Sequence, residues 1–152
     1  MVATGFHTSY GIRSDGMLFS WGYNGNGELG DGTTVNKNSP VQIGSDSWTF
    51  IGTSVGNNGG FGQHTIHAIR NDGILFGWGN NASGQIGDET TVNKSSPVQI
   101  GSSSWTAVSY SGHLATTMAL NADGMLFTWG GSAGLGDNTT VSRSSQVQIG
   151  SS

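Results

Sequence analysis

Asp72-Gly73-Ile74-Leu75-Phe76-Gly77-Trp78-Gly79 is one of three copies of the same phrase in this chain. The others are Asp15-Gly16-Met17-Leu18-Phe19-Ser20-Trp21-Gly22 and Asp123-Gly124-Met125-Leu126-Phe127-Thr128-Trp129-Gly130. Six of the eight positions are invariant between copies. Asp15 and Asp72 stand 57 residues apart, Asp72 and Asp123 stand 51 apart, and the segments downstream repeat as well. Residues 31–49 and 88–106 share Thr-Thr-Val-Asn-Lys-x-Ser-Pro-Val-Gln-Ile-Gly-Ser, and residues 137–152 are a looser copy with Gln146 in place of Pro40 and Pro97. A period of this length points to a solenoid or a propeller, in which each unit buries its apolar faces against its neighbours.

Each Asp-Gly pair lies between two short runs of β-formers, the arrangement of a hairpin: Thr8 to Trp21, Thr65 to Trp78 and Thr116 to Trp129. In the second strand of each hairpin, period two places Phe19 and Trp21 on one face and Leu18 on the other, so both faces must be covered. A Gly/Asn loop follows each Trp-Gly, at residues 23–30, 80–87 and, two residues shorter, 131–136. Val41-Gln42-Ile43, Val98-Gln99-Ile100 and Val147-Gln148-Ile149 then read as short strands ended by Gly, and strands opening at Trp48 and Trp105 complete a four-stranded unit. No window carries a helical period. The expected architecture is all-β, built of four-stranded antiparallel blades in about three repeats, 1–47, 48–104 and 105–152, within one domain.

Composition narrows the function classes. The 152 residues are 34% hydrophobic and 9% charged, with 27 glycines recurring at fixed places beside Trp, Phe and Ile as turns between strands. A net charge of −4 with five Lys or Arg supplies no basic patch for nucleic acid, which is not expected as a partner. There is no cysteine and no apolar run of membrane-spanning length, so neither a thiolate metal site nor a membrane partner is expected.

The polar repeats have structural readings that suffice. Gly25-Asn26-Gly27-Glu28-Leu29-Gly30 has the spacing of a dinucleotide fingerprint, but no helix follows, and Ala82-Ser83-Gly84-Gln85-Ile86-Gly87 keeps only Gly-x-Leu/Ile-Gly. His7 and His64 occupy one repeat position, with His113 close to it across a two-residue slip. Three imidazoles facing a central channel could ligate a metal, yet a repeated hydrogen bond pinning a strand end explains them more simply. His67 stands alone and reads as incidental. Asp15, Asp72 and Asp123 are turn residues, and Asp31, Asp88 and Asp137 close the loops; neither set makes an acid/base pair. No catalytic residue, metal site or cofactor is expected. Lys37, Lys94 and Arg143 are equivalent and could form a positive rim. Tyr23, Asn24, Asn80, Asn81 and Ser132 lie where the copies differ most, and with those three cations they are the positions expected to face a partner.

The order Gly-x-x-His, Asp-Gly-x-Leu-Phe-x-Trp-Gly, Gly-Gln-Ile-Gly, Pro-Val-Gln-Ile resembles the repeat of the regulator of chromosome condensation family, over nearly the whole chain. The resemblance implies a β-propeller, seven-bladed in the family, and a non-catalytic scaffold that binds a protein partner through blade loops. The family's best-known members exchange guanine nucleotide on a small GTPase, but only scaffold residues match here, so exchange activity is not carried over. Asp15, Gly16, Phe19, Trp21, Asp72, Gly73, Phe76, Trp78, Asp123, Gly124, Phe127 and Trp129 are the blade motif. The chain departs at Gln146, at the short loop 131–136 and at an insertion around residues 56–60. Closed propellers usually have four to eight blades. Three repeats are therefore read as a fragment of a longer array, as an open arc, or as half of a six-bladed ring closed by self-association; the fragment is preferred because an arc exposes apolar faces. The alternative function, suggested by Ser/Thr/Asn/Gly richness and near-identical repeats, is a structural or adhesive repeat of a cell surface or virus particle that binds glycans.

Overall fold

A computed structural model describes residues 1–5, 7–54, 64–111, 115–132 and 134–150. The described residues are all-β. The first blade is a sheet of β1 (Val2–Thr4), β2 (Thr8–Ile12), β3 (Leu18–Gly22) and β4 (Lys37–Gln42), paired in sequence order and antiparallel. β5 (Trp48–Thr53), β6 (Thr65–Arg70) and β7 (Ile74–Gly79) pair in the same order and continue into β8 (Lys94–Ser111). β9 (Thr116–Asn121), β10 (Leu126–Gly130) and β11 (Arg143–Ile149) complete the third four-stranded group on the far half of β8.

The hairpins form where Asp-Gly stands. Gly16, Gly73 and Gly124 all have positive φ, and the carbonyls of Arg13, Arg70 and Asn121 accept their N–H groups. Such a left-handed residue closing a short loop is the usual role of glycine in a three-residue hairpin. Asp15 and Asp72 accept the N–H of Met17 and Ile74, while Asn121 does this for Met125 in the third copy.

One element differs from the sequence reading. Val98-Ile100 and the strand opening at Trp105 are not separate: β8 runs through Gly101 as one 18-residue strand shared by two sheets. The corresponding stretch between β4 and β5 breaks at residues 43–47. Pro40 and Pro97 sit in β4 and the near half of β8, each the outer strand of its unit, where a missing N–H costs no ladder bond on the open side.

Two cores alternate with the sheets and are copies of one another. Ile12, Leu18 and Ile43 of the first sheet meet Trp48, Ile51, Ile66, Ala68 and Trp78 of the second. One repeat later, Ile69, Leu75 and Ile100 meet Trp105, Ala119 and Trp129. Trp48 stands edge-on to Phe76, and Trp105 to Phe127, both at 5.3 Å between ring centres. Each sheet therefore completes its core with its neighbour's side chains, as two apolar faces per blade require.

Candidate functional site: the blade joints and the loops above them

The Trp of the repeated phrase forms the joint. Trp78 Nε1 donates to the Glu28 carbonyl of the preceding blade at 2.8 Å, and Trp129 Nε1 donates to that of Gln85 at 2.9 Å. Both indoles are fully buried. The closing glycine of the receiving loop makes this approach feasible: a Cβ on Gly30 would lie 2.8 Å from Trp78 Nε1, and one on Gly87 would lie 2.6 Å from Trp129 Nε1. The Gly-x-Leu/Ile-Gly loop is thus a socket for the next blade's indole. Trp21 is only partly buried, and its indole makes no hydrogen bond among the described residues.

His67 is also part of a joint, contrary to the sequence reading of an incidental residue. It is wholly buried, its Nε2–H donates to the Ile86 carbonyl at 3.0 Å, and it stacks on Tyr110 of the third blade. Tyr10 fills the same place in the first blade, its hydroxyl donating to the Glu28 carbonyl, and Met118 fills it in the third. Nδ1 of His67 has no partner, and burial pulls the imidazole down to about 4. An imidazole that is neutral in the fold but titrates near 6.5 when unfolded takes up its proton only on unfolding. Its contribution is complete above about pH 6.5 and is lost as pH falls toward 4. Urea unfolding should show a loss of about 2 kcal/mol between pH 7.5 and 5. His67→Tyr, which copies the first blade, should remove most of that slope.

The loops after the Trp are held from within. Asn24 Nδ2 donates to Asp31 Oδ1 and to the carbonyls of Thr33 and Val35, while its Oδ1 accepts the Leu29 N–H. Asn81 repeats every bond, to Asp88, Thr90, Val92 and Ile86. Asn80 is buried too, its Oδ1 accepting from Gln85 Nε2. Asn24, Asn80 and Asn81, expected to face a partner, therefore point inward, because a buried amide can satisfy several main-chain groups of an irregular loop at once. Tyr23 and Ser132 are partly exposed.

The expected positive rim is neutralised. Lys37 pairs with Asp31 at 3.2 Å, Lys94 with Asp88 at 3.1 Å and Arg143 with Asp137 at 2.8 Å. Arg13 pairs with Asp15, and Arg70 with Asp72 while lying over the Phe76 ring. All five cations of the chain are thus engaged by carboxylates of their own repeat. Hydrogen bonds from Thr90 and Lys94 hold the Asp88 carboxyl below its ordinary range, against the opposing effect of burial. Because Asp88 is nearly buried, Lys94→Ala should cost about 1 kcal/mol rather than the ~0.5 typical of a surface lysine, measurable by urea unfolding.

His7 and His64, the two repeat histidines among the described residues, do not share one environment. The His7 carbonyl accepts the Tyr23 N–H and that of His64 accepts the Asn80 N–H, but in the third blade the carbonyl of Ala115 accepts from Gly131. The repeated feature at this position is the main-chain carbonyl. His64 is buried with Nδ1 against the Ser54 carbonyl, His7 is exposed, and His113 lies outside the described residues, as does the insertion around 56–60. Gln146 has a packing role: its Nε2 donates to the Gly87 carbonyl between the second and third blades. The corresponding groove between the first and second, beside Pro97, Trp48 and Phe76, is an open space of about 340 Å³.

Sequence reasoning missed one set of surface residues. Val35, Val92 and Val141 hold the same repeat position and are 62%, 63% and 57% exposed. Their signal was the repeated Thr-Thr-Val; valine in that setting reads as a strand former, whereas here it tips a loop.

Four-stranded antiparallel units joined face to face by an indole-and-socket contact define a β-propeller repeat protein. The family model described as Regulator of chromosome condensation (RCC1) repeat matches residues 15–61 and 72–118, more than half of the chain. The chain belongs to this family. It is similar to the Ultraviolet-B receptor UVR8 of Arabidopsis thaliana, 34% identical over 66% of this chain and 22% of that protein. It is similar also to the Probable E3 ubiquitin-protein ligase HERC6 of Homo sapiens, 32% identical over 85% of this chain and 13% of that protein. Among solved structures, Prp20p of Saccharomyces cerevisiae superposes with a TM-score of 0.77 at 17% identity, over 100% of this chain and 38% of that one; its crystal structure was described together with binding to Gsp1p and histones. The chain thus spans less than a quarter of the length of the curated relatives it matches.

Proposed function

We propose that this chain is a non-catalytic, protein-binding scaffold whose partner docks on the loops following the Trp strands. The observation that carries the reading is the row of Val35, Val92 and Val141 on loops braced from within. An exposed apolar side chain repeated on successive rigid loops costs solubility and gains contact area, a pattern that favours a protein surface over a small polar ligand. Tyr23 and Ser132 flank the bases of these loops and extend the contact, while the paired Lys37, Lys94 and Arg143 form its polar rim. Membership of a repeat family with a Gsp1p- and histone-binding structural relative supports a binding role. No carboxylate pair suited to acid/base chemistry is found among the described residues; the buried Glu28 carboxylate accepts hydrogen bonds from the main chain and side chain of Asn26.

The test is affinity capture from a lysate of the source cells with the chain and with a Val35→Ser/Val92→Ser/Val141→Ser variant, beside a glycan array. One protein captured by the parent and lost by the variant, at unchanged thermal unfolding, is the expected result. Equal capture by both, or reproducible sugar binding with no protein retained, would overturn the reading in favour of adhesion.

A further inference from the structure

A groove runs along each of the two interior joints, and only one of them is filled from within. Between the second and third blades Gln146 reaches across: its Nε2 donates to the Gly87 carbonyl, and a Cβ on Gly101 would lie 3.4 Å from its Oε1. Between the first and second blades Pro97 takes the place of Gln146, and its ring has neither the length nor the donor to make that bridge. The open space of about 340 Å³ left there is bounded by Gly30 and Gly44, the counterparts of Gly87 and Gly101, and by the rings of Trp48 and Phe76. For a Cβ on Gly44 the nearest neighbour would be the Asp46 main-chain nitrogen, at 4.0 Å. Two more substitutions accompany the opening. Gly32 stands where the filled groove has Glu89, and Asp46 where it has Ser103. Arg70 approaches Asp46 only to 3.6 Å and keeps its closer contact, 2.7 Å, for Asp72, so the Asp46 side chain stays 51% exposed on the groove wall. Asp31, Asp46 and Asp72 thus share two cations, Lys37 and Arg70, and the balance around the groove is negative.

We infer that this groove is a binding site for an arginine side chain of a protein partner, its guanidinium donating to the Gly30 carbonyl and to the Asp46 carboxylate. Gln146 supplies the pattern, since it shows that the joint receives the donor-bearing end of a long side chain on the carbonyl of the socket glycine. A carboxylate added to that acceptor changes the preference from a neutral amide to a cation, and it disfavours phosphates and other anions. Guanidinium, with five donors in one plane, serves two separate acceptors at once and lies well against aromatic walls, whereas an ammonium is a single strongly hydrated point charge. Val35, Val92 and Val141 are not part of the lining, so the site stands or falls separately from the docking loops above.

The experiment is an NMR titration of the 152-residue chain with acetyl-Gly-Arg-Gly-amide, read at the Trp48 indole N–H. The same peptide with citrulline, which keeps the length of arginine and loses its charge, is titrated beside it. The expected result is a saturable shift with a dissociation constant of about 1 mM, the scale for one seated side chain, weakened about tenfold by citrulline. Pro97→Gln gives the groove its neighbour's plug and should abolish binding, and Asp46→Ser, again the neighbour's residue, should weaken it about tenfold. Both variants copy a residue that the equivalent joint accommodates, and unchanged thermal unfolding checks that they fold. The Val35→Ser/Val92→Ser/Val141→Ser variant should bind the peptide as the parent does. No shift of the parent's Trp48 at about 10 mM peptide would overturn the inference. Undiminished binding by Pro97→Gln would do so too, as would equal binding of the citrulline peptide, which would make the groove a seat for a neutral amide.

Discussion

Trp78→Ala should lower unfolding free energy by about 3–5 kcal/mol, the range for deleting a large buried aromatic side chain. The physical case is specific to this joint. Trp78 is fully buried between two sheets, packs on Trp48 at 6.3 Å between ring centres, and satisfies the Glu28 carbonyl, which Tyr10 shares. Removing the ring opens a cavity in a core that belongs to both blades, so relaxation in one is opposed by the other. Trp129→Ala should cost a similar amount for the same reason. Trp21→Ala, the same substitution in the same phrase, should cost under about 1 kcal/mol, because its ring is only partly buried and no socket among the described residues receives it. Urea unfolding of the three variants is the measurement. Equal losses at Trp21 and Trp78 would mean that burial within one blade, and not the joint, accounts for the conserved phrase.

Asn81→Ala should cost about 3 kcal/mol or more, an unusual loss for a loop residue. Its side chain donates to Asp88 and to the carbonyls of Thr90 and Val92, with a longer contact to the Thr90 hydroxyl, and accepts the Ile86 N–H; alanine leaves that N–H and those carbonyls without it. Each buried group left unpaired costs about 1–3 kcal/mol, partly recovered where water enters. Asn81→Asp should not rescue the fold, since it replaces the donor that faces Asp88 with a second carboxylate. The third blade has Ser132 at this position and a loop two residues shorter, so Asn81→Ser copies a natural arrangement without the shortening that accommodates it. Stability within about 1 kcal/mol of the parent would mean that the loop is held by its Asp88–Lys94 pair and Asx turn alone.

Periodicity made the blade count, the hairpins and the aromatic joints legible in the sequence. Three copies of Asp-Gly-x-Leu-Phe-x-Trp-Gly fix which residues are interchangeable, and period two fixes which of them face a neighbour. The loops were less legible. Asn24 and Asn81 belong to a segment whose copies differ, and variability there looks like surface; that these amides turn inward depends on main-chain groups nine and eleven residues away, a non-local arrangement that no local pattern encodes. His67 was passed over because its counterparts are Tyr10 and Met118, and comparing copies conceals a position that accepts any large side chain. Its parity along β6, shared with Thr65 and Ile69, was the available signal. The positive rim failed for another reason: each cation is matched to a carboxylate six residues earlier in its own repeat, a spacing that becomes a contact only once the loop folds back.

The second and third blades are each locked to the one before by an indole seated in a glycine-closed socket. Hydrogen exchange of the five tryptophan indole N–H groups, followed by NMR, is the decisive measurement. Trp78 and Trp129 should exchange only on global unfolding, while Trp21 should exchange at least about a hundredfold faster, as expected for a group outside the cooperative core. Protection of Trp21 equal to that of Trp78 and Trp129, or rapid exchange at all three, would contradict it.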